Sequence, residues 1–167
     1  TAVRIEEFEE SEREKGFVEA LEQYGVPLDP RWIVRGGFSE DDGYRGFMNL
    51  YKSGDLPEFI FAVTFPVGLG IYRAVNELGL KIPDDVDLIS FGNSGLNHFL
   101  APPMSYVEQP TVELGRRAME LTLEHIRRRD QSVAQPIKLP TSLVLCKTCI
   151  RKVATGRTLR REGAAEG

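Results

Sequence analysis

The apolar positions fall into blocks whose period changes along the chain. Between Glu7 and Gly25, the residues Phe17, Ala20, Leu21 and Tyr24 recur at helical spacing, and Gly25 with Pro27 stops the run, so an amphipathic helix is predicted. Trp32-Ile33-Val34 is a short run of β-forming residues closed by Gly36-Gly37, which predicts a strand. Ser39 then stands as the N-cap of a polar helix from about Glu40 to Ser53. Phe59 to Val63 is continuously apolar, the pattern of a strand covered on both faces of a parallel sheet. A helix from Pro66 to Leu78 follows, with Pro66 in its first turn, Val67, Ile71, Ala74 and Leu78 on one face, and Gly79 at its C-terminal cap.

Val86 to Phe91 forms the next predicted strand, left through the turn Gly92-Asn93-Ser94-Gly95. Beyond Pro102-Pro103, Ser105 to Glu108 reads as a short strand. Val112 to Arg128 reads as a long helix with Leu114, Ala118 and Leu121 on one face, and Ile137 to Cys149 as the last ordered element. Residues 151–167 carry glycine and charge with little apolar content, and a disordered tail is expected there. Strands alternating with helices imply βαβ units, hence an α/β fold with a doubly wound, mostly parallel sheet.

Composition narrows the functional classes. At 167 residues the chain can bury one core, and no apolar run approaches the roughly 18 residues of a membrane span. The acidic beginning, TAVRIEEFEESEREK, has no basic start or apolar stretch, so no signal peptide is visible. A net charge of −4 argues against this segment gripping a phosphate backbone by itself; any DNA contact is expected from elsewhere. Cys146 and Cys149 supply half a zinc site at most, and His98 and His125 have no ligand-spaced neighbours, so neither metal nor cofactor is expected. The two thiols could form a redox pair, but no helix start adjoins them to activate one, and ordinary buried thiols in a reducing cytoplasm are the preferred reading. Gly68-Leu69-Gly70 lacks the third glycine of a dinucleotide fingerprint, and no Ser, His and acid set recommends itself as a triad, so an enzyme is not expected.

Several phrases, taken in order, carry a resemblance: Arg13 with Gly16-Phe17 and Ala20-Leu21; Gly37-Phe38 with Gly43-Tyr44; and the run Leu78-Gly79-Leu80-Lys81-Ile82-Pro83-Asp84-Asp85-Val86, the most specific. Ala101-Pro102-Pro103-Met104-Ser105, Val107-Glu108-Gln109-Pro110, Leu114-Gly115 with Ala118, Leu139-Pro140, Leu143-Val144 and Thr148-Cys149 extend it. From about Arg13 to Cys149 the chain resembles the LacI/GalR transcriptional repressors. The resemblance implies a periplasmic-binding-protein-like fold of type I, two α/β lobes with an effector cleft between them, here incomplete. A helix-turn-helix headpiece, most of the N-terminal lobe and the opening strand of the C-terminal lobe are expected to lie outside this sequence. On that topology residues 1–150 form an effector-binding and dimerisation region, with the C-terminal lobe at about 1–105 and 138–149. The helix 110–128 returns to the N-terminal lobe.

The resemblance also assigns roles. Arg13 aligns with an effector-clamping arginine, a role its rigid guanidinium fork suits; an exposed helix arginine among Glu12, Glu14 and Lys15 is the competing reading. Phe38 aligns with an aromatic that packs on a flat ligand face, against the alternative of a core aromatic. Gln109 falls where an amide enters the cleft, against a solvated loop glutamine. Thr64-Phe65 and Gly92-Asn93 stand where sugar-responsive relatives carry Asn-Asp and an acceptor Asp. The expected partner is therefore a small-molecule effector that is not a typical neutral sugar, or else the site no longer senses. Val67, Ile71, Ala74, Leu78, Leu96 and Leu100 correspond to a homodimer surface, unless the helix packs wholly on its own sheet. The implied function is the sensing core of a cytoplasmic DNA-binding regulator. A solute-binding component of an uptake system is the alternative, since one fold serves both.

Overall fold

Four strands form one sheet in the order β1 (Phe59–Ala62), β2 (Asp87–Phe91), β3 (Ser105–Glu108), β4 (Ser142–Val144). The computed structural model describes residues 12–128 and 136–149; the expected helix start at Glu7 and the tail expected at 151–167 lie outside them. The first three strands run parallel, with Phe61 opposite Ile89 and Phe91 opposite Val107, and β4 returns antiparallel along β3. Helices α1 (Glu12–Gln23) and α2 (Glu40–Ser53) precede β1, α3 (Phe65–Glu77) lies between β1 and β2, and α4 (Thr111–Arg128) lies between β3 and β4.

Each sheet face has its own cover. Because side chains alternate across a strand, Phe59, Phe61, Ile89 and Phe91 share one face. α1 lies against it through Phe17, whose ring stacks on Phe59 and Phe61 with centroids 6.2 and 5.4 Å away. The opposite face carries Ala62 and Leu88, which join Phe47 of α2, Phe65, Ile71, Tyr72, Ala74 and Val75 of α3, and Val86 and Met104 in the buried core. The sheet is thus clothed by α1 on one side and by the pair α2 and α3 on the other.

That pair is held together by absent side chains. A Cβ on Gly43 of α2 would run into the Val67 carbonyl of α3, and one on Gly70 of α3 would meet the Glu40 carbonyl and, at 2.7 Å, the Tyr44 amide nitrogen. The two backbones touch, so only glycine fits. Both helices also start at well-built caps. Ser39 and Asp42 form a reciprocal capping box on α2, and the Thr64 hydroxyl accepts from the Val67 amide of α3 at 3.3 Å. Gly79, at φ 70, ends α3 as its position suggested.

The last segment is tied in by one buried hydroxyl. Thr148 donates to the Leu88 carbonyl at 2.6 Å and accepts from the Ser105 amide at 2.7 Å, while the Ser105 hydroxyl accepts from the Cys146 amide at 2.9 Å. On the far side of β2, buried Asn97 brackets Met104 with two hydrogen bonds of 2.8 and 2.9 Å and closes the loop between them.

Trp32-Ile33-Val34 is not a strand. Asp29 accepts from the Arg31 amide and caps a 3-10 turn, Pro30–Trp32, and the Trp32 indole donates to the Asp55 carbonyl at 3.1 Å. Ile33 and Val34 continue without ladder partners among the described residues: β-propensity needs a neighbouring strand to express it.

Replacing Gly43 or Gly70 by Ala should lower the unfolding free energy by roughly 1–3 kcal/mol or more, read from urea titration. Gly36→Ala, where a Cβ would meet nothing within 4 Å, should leave the midpoint in place. Equal midpoints for all three variants would refute the close helix crossing.

Candidate functional site

In an open parallel sheet, ligands bind beyond the carboxyl ends of the strands, and there the chain collects its candidate residues. α1 runs back along the sheet face, so Arg13, one turn before Phe17, reaches the ends of β1 and β2. Its Nη1 donates to the Val63 carbonyl at 2.8 Å, and its guanidinium carbon lies 4.1 Å from the centroid of the Phe91 ring. The guanidinium is thus held in place by two contacts that leave donors over. Phe91 has no part in the sequence expectations; its position as the last residue of an apolar strand, before a turn, was the available signal.

Across β1 the loop before α2 comes down beside the start of α3. Thr64 donates from its hydroxyl to the Phe38 carbonyl at 3.4 Å, which sets the Phe38 ring at the strand ends with 56% of its surface exposed. Next to Phe91, Gly92 turns the chain at φ 84 and its amide donates to the Val107 carbonyl at 2.8 Å. Gln109 comes so close that its Nε2 would lie 3.3 Å from a Cβ on Gly92. Asn93 is exposed; its Oδ1 accepts from the Ser94 amide at 2.8 Å. Burial pushes the Tyr106 phenol up, with the Glu108 and Cys146 charges adding to the effect and the nearby Asn93 amide opposing it.

Arg13, Phe38, Thr64, Gly92, Asn93 and Gln109 therefore form one neighbourhood. Phe65 does not share its exposure: only 6% of it is accessible, because the first residue of α3 turns into the core. The Thr64 hydroxyl is engaged by both Val67 and Phe38.

The expected dimer residues separate. Ile71 and Ala74 are buried within the chain against α2 and the sheet and have no surface to offer a partner, while Val67 and Leu78 are half-buried beside the same core. Leu96 stands exposed, Leu100 is half-buried, and Phe99 between them, which sequence reasoning passed over, is 84% exposed. Among the described residues no group of three or more His, Cys, Asp or Glu could hold a metal, and no helix is long and apolar enough to cross a membrane.

A doubly wound unit with a polar and aromatic cluster at the carboxyl ends of its parallel strands is the class that binding-protein lobes define. Residues 5–149 match the periplasmic binding protein-like domain family. The HTH-type transcriptional repressor PurR of Haemophilus influenzae (strain PittEE) is 32% identical over 123 residues, 74% of this chain and 37% of that protein. The HTH-type transcriptional repressor CytR of Escherichia coli (strain K12) is 33% identical over 139 residues, 83% of this chain and 39% of its own length. Among solved structures, a LacI-type regulator from Bacillus cereus subsp. cytotoxis superposes with a TM-score of 0.75 at 28% identity, over 81% of this chain and 48% of that one. A complex of the transcriptional regulator CelR with cellobiose gives 0.74 at 27%, over 82% and 42%. The chain belongs to the periplasmic binding protein-like domain family and, within it, to the LacI/GalR regulators, whose effector-binding region it matches. It spans about two fifths of the length of the two curated repressors.

The thiol pair makes a separate prediction. Burial pushes the Cys149 thiol up from its ordinary value, and the Asp87 carboxylate adds to the shift. The folded protein thus holds its proton where an unfolded chain has begun to lose it, so this contribution to stability is fully present below the unfolded thiol's pKa and is lost as pH rises from there through the raised folded value. Iodoacetamide should alkylate Cys149 more slowly than free cysteine at about pH 8.5. A rate above that of free cysteine, followed by mass spectrometry, would mark an activated thiol instead.

Proposed function

We propose that this chain is the ligand-sensing and dimer-forming core of a DNA-binding transcriptional regulator acting in the cytoplasm. The observation that carries the reading is the convergence of Arg13, Phe91, Phe38, Asn93 and Gln109 at the ends of three strands, which we read as one side of an effector cleft closed by a second lobe. α4 supports that division. No residue from 111 to 127 is buried, and Val112, Met119, Leu123 and Ile126, which share one face of the helix, are exposed. A helix with so large an apolar stripe needs a cover, and the occupant assigned here is the N-terminal lobe that longer relatives have room for. Ligand closing the two lobes shifts operator affinity only through unequal affinity for the two arrangements.

The repressor names of the relatives support regulation over solute uptake, and no catalytic role is proposed. With a net charge of −4 the chain depends on another segment to hold DNA, and a two-fold dimer would match two half-sites. Leu96, Phe99 and Leu100 are assigned to that two-fold contact, with a second copy as the occupant.

In a gel-shift assay the full-length gene product should retain duplex DNA from the region flanking its own gene, and a small molecule should change that retention. No retention even at low salt would sink the regulator reading. In sedimentation, Phe99→Asp should move the protein from dimer to monomer at micromolar concentration, and an unchanged dimer would remove this patch from the interface.

A further inference from the structure

We propose that Cys146 and Cys149 are an oxidisable dithiol, which closes into a disulfide across the 3-10 turn Lys147–Cys149 by exchange with a low-molecular-weight disulfide. The inference stands apart from the effector cleft and goes beyond the sensing role.

The turn supplies what the C-x-x-C spacing left open. Cys146 immediately precedes it and Cys149 is its last residue, so the two stand one 3-10 turn apart. Such a turn takes three residues and rises about 2 Å for each, which stacks positions i and i+3 on one side, roughly 6 Å from each other. A disulfide needs its Cα atoms about 4.4–6.8 Å apart, so the backbone already offers the required span. Both thiols are free, and both are half-buried. A cysteine that serves only as a small apolar filler is among the most buried of residues, and neither thiol has that environment.

The turn is also fixed without the bond. At its start the Cys146 amide donates to the Ser105 hydroxyl at 2.9 Å. Between the cysteines, fully buried Thr148 donates to the Leu88 carbonyl at 2.6 Å and accepts from the Ser105 amide at 2.7 Å. Folding has therefore already ordered the chain that ring closure must order, so the disulfide is favoured in the folded protein over the unfolded chain.

Cys146 begins the exchange, because burial and the Asp87 carboxylate keep the proton on Cys149. The Cys146 thiolate attacks one sulfur of the small disulfide, the S–S bond breaks, and one small thiolate leaves. Cys149 then loses its proton to solvent and attacks the Cys146 sulfur of the mixed disulfide, which releases the second small thiolate. Two electrons pass from the pair to the small disulfide, and two protons end on the two small thiols.

The test equilibrates the full-length gene product in mixtures of reduced and oxidised glutathione, traps free thiols with N-ethylmaleimide and maps the labels by peptide mass spectrometry. Cys146 and Cys149 should escape labelling together, joined within one chain, and dithiothreitol should restore both labels. Compared with the same mixtures in urea, the folded protein should favour the closed form about tenfold or more. Cys149→Ser should stop at a glutathione adduct on Cys146, and Cys146→Ser should take up glutathione more slowly than Cys149→Ser does. Thr148→Val, which unties the turn, should lower the folded preference toward the urea value. Both cysteines still labelled in oxidised glutathione, a link between two chains, or a folded preference no greater than that in urea would each overturn the inference. None of these results touches the regulator reading, which is tested by DNA retention.

Discussion

The contact of α2 and α3 at Gly43 and Gly70 is the constraint from which the working end of the molecule follows. Two helices whose backbones touch cannot slide or tilt without carbonyls meeting amides, so their N-termini are locked side by side. One N-terminus carries Phe38 just ahead of its Ser39 cap, and the other carries the Thr64 cap just after β1. The Thr64 hydroxyl bridging to the Phe38 carbonyl expresses that lock, and it places an exposed aromatic at the rim. Rigidity here comes from the smallest side chains.

On the other sheet face the logic is one of direction. α1 returns antiparallel to β1, and the spacing from Arg13 to Phe17 is one helical turn, so the ring that packs on Phe59 and Phe61 also determines how far the guanidinium reaches. No residue of α1 is fully buried, yet its stacked phenylalanine converts a surface helix into a mount for one charged group. The result is a guanidinium fixed at the strand ends by a carbonyl and an aromatic ring.

Legibility in the sequence differed by the kind of information each element carries. The strands at 59–62, 87–91 and 105–108 and the helices at 40–53 and 65–77 were readable because period, cap and breaker agree along one stretch of chain. Trp32-Ile33-Val34 misled for the opposite reason: composition favours a strand, but a strand exists only where another lies alongside, and Asp29 and Pro30 offered a local turn instead. An amphipathic stripe has the same ambiguity. The face of α3 with Ile71 and Ala74 turned out to be covered from within, while the stripe of α4 is uncovered among the described residues, and periodicity alone is identical in the two cases.

What the sequence by itself determined is most of the strands and helices and their caps, since local chemistry is written along the chain, while a family pattern offered Arg13, Phe38 and Gln109 as candidates for one site. Only the tertiary structure decided that Phe65 turns inward, that Phe91 lies beneath Arg13, that the Thr64 hydroxyl joins Phe38 to Val67, and that Phe99 stands out. Those are facts about which groups become neighbours, and neighbours distant in sequence are chosen by packing, which acts on the whole chain at once.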